Sequence, residues 1–202
     1  MLKRCLYSGH TAVYPKIIAY LFIAILSLFT PYIHATTDNL YGVGLAYAGG
    51  PFGIENAHLT SGARGTFDDY FSAKKWYHLQ VFAQASAAYY GSSYTPLRSE
   101  YDDNLWVYAI APVVRYHVSP NTAVDPFIDL SSGPGYLSTI HYENRNLGIH
   151  FTFQDMAAIG ALFGEDHRFA AMIQMVHYSN AGISSHNRGL SLPLVLSASY
   201  QF

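Results

Sequence analysis

Charge is scarce in this chain. Asp, Glu, Lys and Arg make up 12 % of its 202 residues, and the net charge is −2. A soluble domain carries about twice that share, ~25 %. A nucleic-acid binder needs a basic face, so no nucleic-acid partner is expected. Cysteine is nearly missing: the single Cys5 lies in the N-terminal segment, which leaves the rest of the chain without disulfide or thiol chemistry. After residue 35 no apolar run reaches the ~20 residues that a transmembrane helix requires. The ten His residues show no ligand spacing, and no Gly-rich phosphate loop or dinucleotide fingerprint occurs, so neither metal nor cofactor is expected. Acidic pairs such as Asp68-Asp69, Asp102-Asp103 and Glu165-Asp166 read as solvated loop charge.

Aromatic residues are plentiful, at 16 % with 18 Tyr and 12 Phe. That mixture fits a lipid-facing coat with aromatic girdles, and by composition alone it fits a soluble β-sandwich equally. The N-terminus separates the two. Lys3, Arg4 and Lys16 precede an apolar run from Ile17 to Phe29, and Ala35 ends a plausible cleavage site. Residues 1–35 therefore read as a secretory signal peptide, with a membrane anchor as the competing reading, and 36–202 as the mature domain. A mature membrane protein without an apolar helix has to be a barrel, because lipid offers the backbone no other way to satisfy its hydrogen bonds.

The mature segment alternates in polarity between turn signals. Expected strands are Leu40–Ala48, Gly62–Phe71, Trp76–Tyr90, Leu105–Val118, Pro126–Leu137, Gly148–Phe163, Arg168–Asn180 and Leu190–Phe202. Short links (Ala73-Lys74-Lys75, Ser119–Ala123, Gly164–His167) alternate with longer polar ones (Gly91–Asn104, Ile140–Leu147, Gly182–Gly189), as at the two ends of an outer-membrane barrel. Pro112 and Pro134 inside strands call for local adjustment. In the last strand the even positions Leu190, Leu192, Leu194, Leu196, Ala198, Tyr200 and Phe202 read as one apolar face, closing on an aromatic residue as outer-membrane barrels typically do. The expected fold class is all-β: an eight-stranded antiparallel transmembrane β-barrel in the Gram-negative outer membrane.

Chemistry concentrates at the end of the seventh strand. Phe169, Ala171, Ile173 and Met175 mark the odd face as lipid-facing, and His177 and Ser179 continue it. A period of two sets them ~6–7 Å apart, within reach of a base–nucleophile contact. A bare His-x-Ser pair is more often barrel-rim polarity. The whole segment His177-Tyr178-Ser179-Asn180-Ala181-Gly182, however, resembles the signature of the outer-membrane lipid A 3-O-deacylases, small eight-stranded barrel esterases. Ile110-Ala111-Pro112-Val113-Val114, Pro126-Phe127-Ile128-Asp129 and Phe153-Gln154-Asp155 resemble that family's fourth, fifth and sixth strands, so the likeness runs over the second half of the mature chain.

The resemblance implies a serine esterase acting on lipid A of lipopolysaccharide, with Ser179 as nucleophile, His177 as general base, and Asn180 and Gly182 at an oxyanion hole. Simple turn formation is the competing role for Asn180 and Gly182. The acyl chain is expected along a stripe of Leu192, Leu194, Met175 and Ile173. A homodimer stays open. The chain departs from the family at one place: the Glu expected fourteen residues after the His is Ser191. Ser191 orients His177 as a neutral partner, or an acid from elsewhere (Asp155, Glu100, Asp102, Asp103, Glu143) replaces it, or activity is lost. The rival to the esterase reading is a structural or adhesive barrel.

Overall fold

The computed structural model describes residues 40–50, 60–70, 77–93, 100–120 and 122–202. The expected signal peptide, with Cys5, and the link at residues 73–75 lie outside the described residues. Among the described residues ten strands are present: β1 (Leu40–Gly50), β2 (Thr60–Tyr70), β3 (Leu79–Ser92), β4 (Asn104–His117), β5 (Asp125–Leu137), β6 (His141–Tyr142), β7 (Arg145–Asn146), β8 (Phe151–Phe163), β9 (Phe169–Ser179) and β10 (Leu190–Gln201). Eight close an antiparallel barrel in the order β1-β10-β9-β8-β5-β4-β3-β2, while β6 and β7 form a small hairpin inside the loop between β5 and β8. Closure is made by β1 against β10, from Gly42↔Gln201 to Ala48↔Val195. Tyr41 and Phe202 extend that seam by exchanging both backbone hydrogen bonds, at 3.2 and 2.8 Å.

Alternation decides which side chains face lipid. On β4, Trp106, Tyr108, Ile110 and Tyr116 are exposed, while Arg115 and His117 are buried. On β3 the even positions Gln80, Phe82 and Gln84 point into the barrel. The lumen is filled rather than open, as an eight-stranded barrel is only wide enough to hold side chains. Arg115 donates from Nε and Nη2 to the two carboxylate oxygens of Asp129, each at 2.8 Å, and lies 3.8 Å over the Phe127 ring. Arg64 donates to Gln84, which in turn donates to Asp68. Nearer the short-turn end, His117 Nδ1 lies 2.6 Å from an Asp125 oxygen.

Two aromatic groups bound the exposed apolar band. Tyr89, Trp106, Tyr108, Phe151 and Phe153 cluster at the long-loop end, and Tyr41, Phe67, Phe163, Phe169 and Phe202 at the short-turn end. Trp106 and Tyr116 are ten residues apart on β4. That is about 34 Å along a strand and, at a tilt of ~40°, about 26 Å of height, close to the ~25 Å apolar band of an outer-membrane barrel.

Several sequence expectations shift. The strand expected from Gly148 begins at Phe151, because Gly148 has φ +87° and a Cβ there would meet the His186 carbonyl oxygen at 2.1 Å. It belongs to the loop packing that the β6–β7 hairpin organises. Across Pro112 and Pro134 the β4–β5 ladder skips from Ala109↔Gly135 to Val113↔Ser131 with no change of register, since proline has no N–H to give.

The largest correction concerns β10. Its pairing with β9 runs Leu192↔Val176 and then Val195↔Gln174, so Pro193 and Leu194 together oppose Met175 in a bulge. Leu190 and Leu192 are therefore interior, at 2 % and 1 % exposure, while Leu194 and Leu196 face outward. The single apolar face expected along this strand is two half-faces joined at the bulge, and Leu192 drops out of the lipid-facing stripe.

Candidate active site

The segment from Val176 to Asn180 alternates in, out, in, out, in. Val176, Tyr178 and Asn180 are buried, and His177 and Ser179 are partly exposed on the outer face. Tyr178 pins the strand end from inside, with its hydroxyl 3.0 Å from that of Tyr90. Thr152 Oγ1 donates to the Ser179 carbonyl oxygen at 3.2 Å and fixes the backbone under the nucleophile candidate. The pair lies beside Phe153, the cross-strand partner of Ser179, and so at the long-loop aromatic group.

His177 is held from β10. Its Nδ1 is 2.7 Å from Ser191 Oγ, and the two residues are cross-strand partners. The bulge makes this contact. In unbroken alternation with Leu194 and Leu196 outward, Ser191 would face the lumen. The extra residue reverses the phase and brings it out beside the imidazole. A histidine that takes a proton through Nε2 must already carry one on Nδ1, so in that tautomer Nδ1–H donates to Ser191 Oγ. Gly189 gives the ring its space. It has φ +39°, and a Cβ there would lie 3.0 Å from His177 Cε1 and 3.1 Å from the Tyr178 carbonyl oxygen.

Asp155 lies on the other side. It is the β8 cross-strand partner of His177, and it accepts a 2.6 Å hydrogen bond from Ser132 Oγ on β5. Ser132, Asp155, His177 and Ser191 thus form one polar row across four strands of the outer face. Of the other acids considered, Glu143 is 3.6 Å from Arg145 Nε in the loop hairpin. Asp102 is in an isolated bridge with Tyr142, away from this row.

Asn180 and Gly182 are occupied in the loop. Asn180 is interior. Its Nδ2 donates to the carbonyl oxygens of Leu147 (3.0 Å) and His186 (2.7 Å), and its backbone N–H donates to Asn187 Oδ1 at 3.0 Å. The Gly182 N–H donates to Asn180 Oδ1, also at 3.0 Å. An oxyanion role for either requires one of these bonds to be released when substrate enters. Among the described residues no hydrogen bond joins Ser179 Oγ to His177. Such contacts are commonly long before substrate binds.

Sequence reasoning missed Gly189, Asn187 and Ser132 as supports of the site, and it missed the bulge. Pro193 was the available signal for the bulge, because a proline within a strand marks an edge or a bulge.

A family model described as lipid A 3-O-deacylase (PagL) matches residues 62–196. The lipid A deacylase PagL of Pseudomonas aeruginosa is 29 % identical over 82 residues, 41 % of this chain and 46 % of that protein, so the match spans about half of the relative's length. The crystal structure of the outer membrane enzyme PagL superposes with a TM-score of 0.56 at 20 % identity, covering 82 % of this chain and 99 % of the other. That of Neisserial surface protein A gives 0.49 at 8 % identity, over 81 % and 97 %.

Proposed function

This chain belongs to the lipid A 3-O-deacylase family, and from that premise we propose that it is an outer-membrane esterase that removes the acyl chain at the 3-position of lipid A. The observation that carries the proposal is the His177–Ser191 hydrogen bond on the lipid-facing surface, two residues from Ser179. A purely structural or adhesive barrel gains nothing from a polar row at that height, where exposed side chains otherwise meet lipid.

Ser179 Oγ attacks the ester carbonyl. His177 takes the hydroxyl proton and returns it to the leaving sugar oxygen. Water then hydrolyses the acyl-enzyme with the same base. Ser191 holds the imidazole by a neutral hydrogen bond where the family resemblance implies a carboxylate. Asp155, in cross-strand register with His177, is the acid best placed to offset the charge that develops on the ring. Its partner Ser132 holds it in that position. Oxyanion stabilisation falls to Asn180 and Gly182 once the loop bonds described above rearrange. No cofactor takes part.

The acyl chain lies against Met175, Ile173, Leu194 and Leu196, which are exposed on the outer face. The substrate is lipid A of lipopolysaccharide in the leaflet that surrounds the barrel. Residues 1–35 direct export and are removed after Ala35, which N-terminal sequencing of the mature protein checks. The proposed activity is tested by deacylation of lipid A with the wild type and the Ser179→Ala variant. Release of a 3-position hydroxyacyl chain by the first alone supports it.

A further inference from the structure

The long loops form an open cleft of about 520 Å³, whose walls include Tyr101, Asn144, Asn146, Asn187 and Arg188. We propose that this cleft seats the phosphorylated glucosamine head of lipid A, with Arg188 as the ligand of its phosphate. The inference rests on the deacylase reading and adds what fixes the sugar while Ser179 meets the ester.

The cleft is built into the site. Arg188 immediately precedes Gly189, whose missing side chain leaves room for His177. Asn187 lines the cleft and, through Oδ1, holds the Asn180 N–H at the end of the catalytic strand. Two loops are locked together around it. Arg145 Nη1 donates to the Gly189 carbonyl oxygen at 3.1 Å, and Asn180 Nδ2 bridges Leu147 and His186. Groups so held need little ordering when a ligand arrives.

The lining chemistry suits a charged sugar. The side-chain amides of Asn144, Asn146 and Asn187 can donate to and accept from hydroxyl groups. Tyr101 offers an apolar ring face, itself 5.0 Å from the His141 ring. The two arginines differ in charge balance. Arg145 Nε is 3.6 Å from a Glu143 oxygen. Arg188 is exposed, its Nη1 donates to the Asn144 carbonyl oxygen at 3.4 Å, and among the described residues no carboxylate lies within ion-pair distance of it. A guanidinium balanced by a backbone carbonyl alone retains donors and full charge for a phosphate. With Ser179 at the ester on C3, a phosphate on C1 of the same ring is two ring carbons away.

The test uses the full-length protein refolded in detergent micelles, carrying Ser179→Ala so that binding is read without turnover. Probes are bisphosphorylated lipid A and the same lipid A stripped of phosphate, with binding followed by intrinsic fluorescence. Folding is checked by heat-modifiable gel mobility. The expected result is a preference for the phosphorylated lipid that Arg188→Ala lowers by about tenfold, the scale of one hydrogen bond to a charged group, and that Arg188→Lys partly keeps. Inorganic phosphate alone, at concentrations that saturate a simple anion site, should not abolish that preference. The proposal is overturned if Arg188→Ala leaves the preference intact, if it weakens both lipids equally as a mere loop strut would, or if free phosphate abolishes the preference. A protein that prefers the phosphorylated lipid yet, with Ser179 restored, never releases an acyl chain would defeat the deacylase reading and leave the head-group seat standing.

Discussion

His177 Nδ1 and Ser191 Oγ lie 2.7 Å apart because β10 carries one more residue than β9 between Leu192 and Val195. Bulges gather beside active sites because they re-aim a side chain without breaking the sheet. Here the device puts a hydroxyl where the family resemblance implies a carboxylate.

Restoring the acid should raise the rate. Ser191→Glu is expected to increase kcat by about tenfold or more, because a carboxylate stabilises the imidazolium that forms during attack. Ser191→Ala should lower it by about tenfold by freeing the ring. Steady-state deacylation of lipid A in mixed micelles measures both. A Ser191→Glu enzyme slower than the wild type would contradict the orienting role.

Gly189→Ala should cost about a hundredfold in kcat while leaving the barrel folded. The added Cβ would sit 3.0 Å from His177 Cε1 at a backbone φ of +39°, so the ring has to move, and displacements near 1 Å carry penalties of that size. Heat-modifiable mobility with the rate assay separates misplacement from misfolding.

Deleting Pro193 heals the bulge and should leave Ser191 opposite His177, because Leu192↔Val176 and Val195↔Gln174 then follow one continuous register. Activity is expected to stay near the wild-type rate and to fall about tenfold on a further Ser191→Ala change. A deletion variant whose rate is indifferent to Ser191→Ala would show that Ser191 no longer reaches His177.

The lumen predicts stability rather than rate. Arg115→Ala leaves Asp129 buried and unpaired, at a cost of about 3–5 kcal/mol. The paired change Arg115→Met with Asp129→Leu should recover most of that loss. Urea unfolding of the barrel in lipid vesicles measures it. A single variant as stable as the wild type would mean that the pair contributes nothing.

The barrel was legible where period two was unbroken. On β3, β4, β5 and β9 the alternation of Gln84 with Ala85, Arg115 with Tyr116, Asp129 with Ile128 and Gln174 with Met175 reads inside and outside correctly. It failed on β10, because every even position is apolar on both sides of the bulge: Leu190 and Leu192 fill the lumen, and Leu194 and Leu196 meet lipid. Leucine does not report which. His177 and Ser179 could be placed on the outer face by counting along one strand. Ser132 and Asp155 could be joined to them only through registers across β5, β8 and β9, which depend on turn lengths and pairing rather than on local pattern. The loop roles of Asn180 and Asn187 were equally hidden, since Asn180 donates to Leu147 and His186 in two different loops and Asn187 accepts from the Asn180 N–H.

The most direct measurement is mass spectrometry of lipid A from Gram-negative cells expressing the wild type or Ser179→Ala, with both proteins confirmed as folded in the outer membrane. Loss of one 3-position hydroxyacyl chain with the wild type and none with the variant is the expected result. Unchanged lipid A with both, or the same loss with both, would contradict a Ser179-dependent deacylase.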